Sequence, residues 1–302
     1  MSGHALIIGC GYLGKRVASR FMTAGWKVSA LTRSQSNAEN FLSQGISPCV
    51  GDVLEPATLA TLPSADVLIY AVGYDRQSKA SMQDVYVQGL ANVIQAIGSR
   101  VQRVIYISST SVYSQNDEEV ITAESATTPK RENGKICLAA EQHLQAHQSQ
   151  HDPANSYQAS ILRLAGIYGP DRTLSRIEQF HHRIPMQSEP EGWLNLIHVD
   201  DAADVIWRVT NHNHSQPVYL VSDNEPVKRR DYYTTLAQLA DAPPPTFEPH
   251  VAHEFSIAPA RGEGLGKRCD NQATRADLNW APLYPTYREG LAQIMSCDHM
   301  KR

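Results

Sequence analysis

An α/β protein built on a parallel, doubly wound sheet is the fold class this sequence predicts, and three observations carry that expectation. Short apolar runs alternate with helix-length segments from the start to about residue 165. A glycine-rich turn, G-x-G-x-x-G, lies between the first run and the first helix-length segment. Two more strand-like runs return after an interruption rich in Pro, Arg and His. Alternation of this kind means βαβ units, whose crossover helices cover both faces of the sheet.

Taken in order, "ALIIG" (5–9) reads as a buried strand and "KRVASRFMTAG" (15–25) as an amphipathic helix. "KVSALT" (27–32) and "ADVLIYAVG" (65–73) are strands, and "MQDVYVQGLANVIQAIG" (82–98) is a helix. "RVIYISS" (103–109) and "YQASILRLAG" (157–166) are strands on either side of the helix "GKICLAAEQHLQAH" (134–147). "NLIHVDDAADVIWRVT" (195–210) reads as a short strand feeding a helix, and "PVYLVS" (217–222) as another buried strand; both look like a return to the sheet. The prolines of "DAPPPTFEPH" (241–250) deny a helix its amide donors, so that stretch is a turn or extended connector. These readings place residues 1–166 and 193–222 in the sheet domain, and 167–192 and 223–302 in a small subdomain that covers the substrate.

A chain of 302 residues with 42% hydrophobic and 19% charged residues is long enough to bury a sizeable core. The formal net charge of -4 creates no basic field of the kind that gathers nucleic acid or anionic lipid, so neither a nucleic acid nor a membrane is an expected partner. Cys10, Cys49, Cys137, Cys269 and Cys297 form no C-x-x-C pair, which argues against a zinc site and a disulfide framework and for a reducing cytoplasm. The apolar N-terminal run is broken by glycines and is far shorter than a membrane span.

Gly9, Gly11 and Gly14, with Tyr12 and Leu13 between the last two, form the G-x-G-x-x-G turn. The first glycine permits a tight turn, the second lets backbone approach a pyrophosphate, and the third allows close packing of helix on strand. The helix N-terminus then faces the anion. Between Lys27 and Ser36 there is no acid to bind the ribose hydroxyls of NAD; Arg33 stands there, followed by Ser34. A guanidinium at this point pairs with a 2'-phosphate, which makes NADP the expected cofactor and NAD the alternative. An arginine after an edge strand is also simply a solvated side chain, and both readings stay open.

With these residues in place, the chain resembles the extended short-chain dehydrogenase/reductases, the NAD-dependent epimerases and dehydratases, nearly end to end. Gly51-Asp52, with Val53 after them, is similar to the family's adenine-side contact, and Ala71-Val72-Gly73 to the loop beneath the nicotinamide ribose. "RVIYISSTSVY" (103–113) is similar to the active-site serine strand; the resemblance implies that Ser109 hydrogen-bonds the reacting oxygen. "ILRLAGIYGP" (161–170), "NLIHVDD" (195–201) and "EGL" (289–291) match in order. The resemblance implies a Rossmann-type sheet, a small-molecule substrate that is sugar-like, phosphorylated or nucleotide-linked, and pairing of two copies through the helices after the fourth and fifth strands.

One stretch departs from that pattern. In "PKRENGKICLAAE" (129–141), Pro129, Gly134, Ala140 and Glu141 keep the frame of P-x-x-x-Y-G-x-S-K-x-x-A-E, but Asn133 replaces the catalytic tyrosine and Cys137 the lysine. No lysine of the chain has a tyrosine four residues before it. A phenol needs a neighbouring ammonium to exchange protons at neutral pH, and Asn133 has no proton to exchange. The atypical, YeeZ-like members show this type of replacement, and the chain resembles them through "SSTSVY" and "ILRLAG". Asn133 reads as a helix cap, or as an amide that orients substrate. Cys137 reads as a small buried residue, or as a nucleophile. Tyr113 is a candidate replacement acid. Two functions follow: an atypical NADP-dependent oxidoreductase, epimerase or dehydratase, and a non-catalytic protein that binds or senses NADP(H).

Other signals carry less. His143, His147 and His151 recur every four residues on one helix face, a spacing that can hold a metal, yet no Glu or Cys completes the set; a solvated face is the better reading and no metal is expected. Arg172, Arg176, His181, His182 and Arg183 form a basic cluster suited to an anionic ligand or to a solvated helix. Asp200 and Asp201 read as acids that cap a helix start and complement its dipole.

Overall fold

A computed structural model of the chain describes residues 2–75, 77–150, 157–213, 216–248 and 265–299. Seven strands form the principal sheet: β1 (His4–Ile8), β2 (Lys27–Thr32), β3 (Ser47–Val50), β4 (Ala65–Tyr70), β5 (Val101–Ser109), β6 (Gln158–Leu164) and β7 (Val218–Val221). Their order is β7-β6-β5-β4-β1-β2-β3. The pairings from β3 across to β5 are parallel. At the other edge the Ile161 amide donates to the Pro217 carbonyl and the Ala165 amide to Val221, both at 2.9 Å. The two bonds advance together along both strands, as parallel register requires.

The apolar runs become strands because they are covered on both faces. Ala5 to Ile8 of β1 and Leu68 and Ile69 of β4 have no measurable exposure. β3 is the edge, partly exposed, and there Pro48 removes no bond the sheet needs. Helices α1 (Tyr12–Thr23), α2 (Gln35–Ser43), α3 (Gly89–Ile97), α4 (Glu132–Gln150) and α5 (Val199–Asn211) follow β1, β2, β4, β5 and a later segment. One core cluster joins Leu6, Ile8, Leu68, Leu90, Ile94, Val104, Leu144 and Ile161. Across the opposite face, Phe21 of α1 meets Trp26 and Trp207 edge-on at 5.3 and 5.0 Å, contacts that hold α1 and α5 together. The chain runs outward from β1 in both directions, through β2 and β3 on one side and β4 and β5 on the other. The crevice at that reversal, beyond the carboxyl ends of the strands, is where such sheets bind ligands.

The chain divides into two compact units: residues 1–112, 127–163 and 203–219, and residues 113–126, 164–202 and 220–302. Residues 113–126 and 193–202, which the sequence places with the sheet domain, group in the second unit. That unit has its own core, with Tyr168, Phe180, Tyr232, Leu236, Leu291 and Ile294. The segment 196–198 does not rejoin the principal sheet as expected: Leu196–His198 pairs in parallel with Gly166–Tyr168 as a separate two-stranded ladder. Phe247–Glu248, in the proline-rich connector, pairs with Met186–Gln187, while residues 249 and 250 lie outside the described residues. Among the described residues no helix is long and apolar enough to cross a membrane.

Candidate functional site

The glycines of the first turn have three different physical reasons. Gly9 has φ of +97°, and a Cβ there would lie 2.5 Å from the backbone of Ala71 and Val72. A Cβ on Gly14 would lie 2.4 Å from the Gly9 carbonyl oxygen. Turn geometry and packing therefore account for both. Gly11 is different: a Cβ there meets nothing within 4 Å. It stands at the cap of α1 without a side-chain cap and with no acid in the first turn. An open backbone surface before the positive end of a helix dipole suits an anion, so these residues fit a dinucleotide pyrophosphate.

The remaining cofactor candidates lie at the carboxyl ends of neighbouring strands. The Ala71 amide donates to the Ile8 carbonyl at 2.7 Å, which seats the 71–73 loop against Gly9. Val72 is half-buried and Gly73 exposed. The Gly51 amide donates to the Thr32 carbonyl at 2.9 Å and brings Asp52 beside the end of β2. There Arg33 is exposed, while Ser34 caps α2 by accepting the Asn37 amide at 3.3 Å. The Asp52 carboxylate accepts the Leu54 amide at 2.9 Å, and the Val53 carbonyl accepts the buried Asn92 amide group at 2.8 Å. Tyr12 is half-buried on α1, and Leu13 is in the core.

Ser109 is the last residue of β5, and its Oγ accepts the Ser111 amide at 3.1 Å, which leaves its own O–H to donate. The α4 segment comes up against this turn: a Cβ on Gly134 would lie 2.3 Å from the Ser111 carbonyl oxygen and 2.8 Å from Pro129. Close approach, rather than turn conformation, explains the glycine. Asn133 does not cap α4. The helix begins at Glu132, and the Arg131 carbonyl accepts the Lys135 amide at 3.1 Å, so Arg131 takes the cap position and Asn133 lies exposed in the first turn. Cys137 is 3% exposed, and burial pushes its thiol up to about 11, with nearby Ser111 lowering it only in part and the Glu141 charge raising it further. A neutral thiol supplies neither a thiolate nor a lasting positive charge.

One turn further along α4, Glu141 is 1% exposed and pairs with Arg163 of β6, Nη2 to Oε2 at 2.7 Å, while Ser108 donates its hydroxyl to the same carboxylate. Glu141 thus ties α4 to β5 and β6. Sequence reasoning used it only to set the frame. It missed Tyr86, which stands in a π-helical turn (Asp84–Gln88) leading into α3. The Tyr86 hydroxyl accepts the Tyr74 amide at 3.2 Å, and burial together with the nearby Cys137 raises its pKa. A mid-helix glycine, Gly89, is the one sign of this turn in the sequence: a Cβ there would lie 2.8 Å from the Tyr70 hydroxyl and from Val53.

Tyr113 belongs to the second unit, where it is 2% exposed and donates its hydroxyl to the Ala123 carbonyl at 3.2 Å. In the same unit Arg172, Arg176, His181, His182 and Arg183 are all exposed, and Arg176 donates to Gln179 at 2.6 Å. Asp200 and Asp201 both lie in the first turn of α5, where acids complement the helix dipole, and the Asp201 carboxylate also accepts the amides of Leu283 and Tyr284 at 2.6 and 3.0 Å and so pins a later loop. His147 bonds Tyr157 through Nδ1 at 3.0 Å; His151 lies outside the described residues.

A parallel sheet with a pyrophosphate-shaped turn at its reversal, and a serine at the end of the fifth strand, define a dinucleotide-binding α/β protein. The chain belongs to the NAD dependent epimerase/dehydratase family, which it matches over residues 5–222. It is 25% identical over 288 residues to Protein YeeZ of Escherichia coli K12, covering 92% of this chain and 95% of that protein. A functionally unknown conserved protein from Silicibacter pomeroyi has a solved structure that superposes with a TM-score of 0.78 at 26% identity, covering 98% of this chain and 99% of the other. The UDP-glucose 4-epimerase of Bifidobacterium longum, solved with NAD+ and UDP, shares the fold with a TM-score of 0.80 at 17% identity, covering 98% of each chain.

Proposed function

We propose that this chain is an atypical NADP-preferring oxidoreductase of the epimerase/dehydratase type, acting on a sugar-like or anionic, nucleotide-linked small molecule. The observation that carries the reading is Gly11: packing gives no reason for a glycine there, whereas a pyrophosphate does. Gly9 to Gly14 would hold the phosphates, Ala71 to Gly73 the nicotinamide ribose, Asp52 and Val53 the adenine side, and Arg33 with Ser34 a 2'-phosphate. When bound, a nicotinamide supplies or accepts a hydride. Ser109 would orient the substrate oxygen through the O–H that its own turn leaves available. The ligands of the Bifidobacterium longum epimerase, NAD+ and UDP, support both the cofactor class and the nucleotide-linked substrate. The second reading, a non-catalytic NADP(H)-binding protein of the cytoplasm, is favoured by one observation: neither Asn133 nor the neutral thiol of Cys137 can replace an activated phenol.

Fluorescence titration with NADPH and NADH tests the cofactor assignment. NADPH is expected to bind at least about tenfold tighter, since one charge-assisted contact from Arg33 contributes about 1.5–3 kcal/mol, and Arg33→Ala should remove most of the difference. Equal affinities in the unmodified protein would overturn the NADP preference. Turnover of UDP-sugars by the NADP-loaded protein then separates the enzyme from the binding protein.

A further inference from the structure

We propose that Tyr86 is a catalytic residue of this site, the hydroxyl that gives its proton to the substrate oxygen during reduction of a carbonyl. The inference rests on the reading that the glycine turn binds a nicotinamide dinucleotide.

Four observations point to Tyr86. It lies in a π-helical turn, closed by the Gly89 amide on the Asp84 carbonyl. Such turns are rare and frequently found at functional sites. The turn is held from below: buried Tyr70 of β4 donates its hydroxyl to the Val85 carbonyl at 2.6 Å, and Gly89 leaves room for that hydroxyl. The phenol is therefore positioned by rigid elements, as a reacting group must be. Its oxygen accepts the amide of Tyr74, the residue that follows the 71–73 loop at the carboxyl end of β4, which places it on the crevice side of the sheet. Finally, it lies near Cys137 of α4, which in turn lies near Ser111, and the Ser111 amide binds Ser109 Oγ. The hydrogen bonds that join Ser111 to Ser109 and Tyr74 to Tyr86 thus lie on either side of Cys137 within the first unit.

Burial and the nearby Cys137 raise the phenol above its ordinary value, while the Tyr74 amide lowers it only in part. Tyr86 therefore holds its proton at neutral pH and acts as a donor. A reduced nicotinamide held at the glycine turn would supply the hydride to the carbonyl carbon, the C=O π pair moving onto oxygen. The Tyr86 O–H bond breaks as a new O–H forms on that oxygen, the bonding pair stays on the phenol oxygen, and water reprotonates the phenolate. Tyr113, with its hydroxyl committed to Ala123, is less suited to this role.

The test has two arms, read separately. In the first, protein carrying 13C at tyrosine Cζ is titrated with NADPH, the Tyr86 resonance being assigned by its loss in Tyr86→Phe. The expected result is a displaced Tyr86 resonance; a resonance unmoved while NADPH fluorescence reports binding would overturn the proposal. Failure of NADPH to bind at all would overturn the proposed function and this inference with it. In the second arm, reduction of 9,10-phenanthrenequinone, a general α-diketone probe, is followed with NADPH. Tyr86→Phe should lower the rate by about 100-fold or more with the NADPH affinity unchanged, the usual contribution of a general acid. A rate in Tyr86→Phe equal to that of the unmodified protein would overturn it.

Discussion

At the residue scale, the three glycines of the first turn separate folding from binding. Gly9 is required by its positive φ and by backbone 2.5 Å from where a Cβ would stand, so Gly9→Val is expected to lower the melting temperature sharply. At Gly11 the same substitution meets open space. Gly11→Val should keep far more of the stability and still lose NADPH binding, measured by fluorescence and thermal melting on the same samples. Retained binding in that variant would mean that Gly11 serves the turn alone. Asp223 makes a second residue-scale prediction. It is 1% exposed with Oδ2 unpaired, and burial, helped by the charges of Glu225, Asp201 and Glu289, pushes its carboxyl up to about 8, against the Glu225 amide that lowers it. The folded pKa is above the unfolded one of about 3.9. Its contribution to stability is therefore full below about pH 3.9 and is lost as pH rises through about 8. The melting temperature should fall between pH 6 and 9, and Asp223→Asn should flatten that fall, making the variant the more stable protein at pH 9.

At the scale of elements, α4 is positioned by what it buries. Gly134 lets its first turn lie on the Ser111 carbonyl, and Glu141 locks the next turns to Arg163 of β6 and Ser108 of β5. A buried pair broken from one side leaves the other charge uncompensated, so Glu141→Ala should cost about 3–5 kcal/mol in urea unfolding, and the change should exceed that of Glu141→Gln. A loss within about 0.5 kcal/mol, the range of ordinary surface substitutions, would show that the pair is solvated. The frame of the α4 motif was thus legible in the sequence through Pro129, Gly134, Ala140 and Glu141. The start of the helix was not: Asn-Gly has the composition of a cap or turn, but packing on the Ser111 carbonyl draws the helix back to Glu132 and leaves Asn133 inside it. Tyr86 was hidden for a related reason, because a π turn has no periodicity of its own within a helical run.

At the scale of the whole molecule, the chain passes between its two units at residues 112–113, 126–127, 163–164, 202–203 and 219–220. Neither unit is a continuous piece, so neither can be removed by truncation. Calorimetry should show one cooperative transition. NADPH at 100 times its dissociation constant should add about 2.7 kcal/mol and raise that transition. Two resolved transitions, with only the lower one moved by NADPH, would show that the units unfold separately.

The sequence by itself determined the α/β class, the position of the phosphate turn, the family and the absence of Y-x-x-x-K, because each of these depends on local pattern: apolar runs, glycine spacing and motif order. Only the tertiary structure decided that Leu196–His198 forms its own ladder with Gly166–Tyr168, that Asp201 pins residues 283 and 284, and that Tyr86 neighbours Cys137. Each of these joins residues distant in the chain. Which partner a buried polar group or a short strand finds is settled by packing of the whole unit, and no local pattern records it.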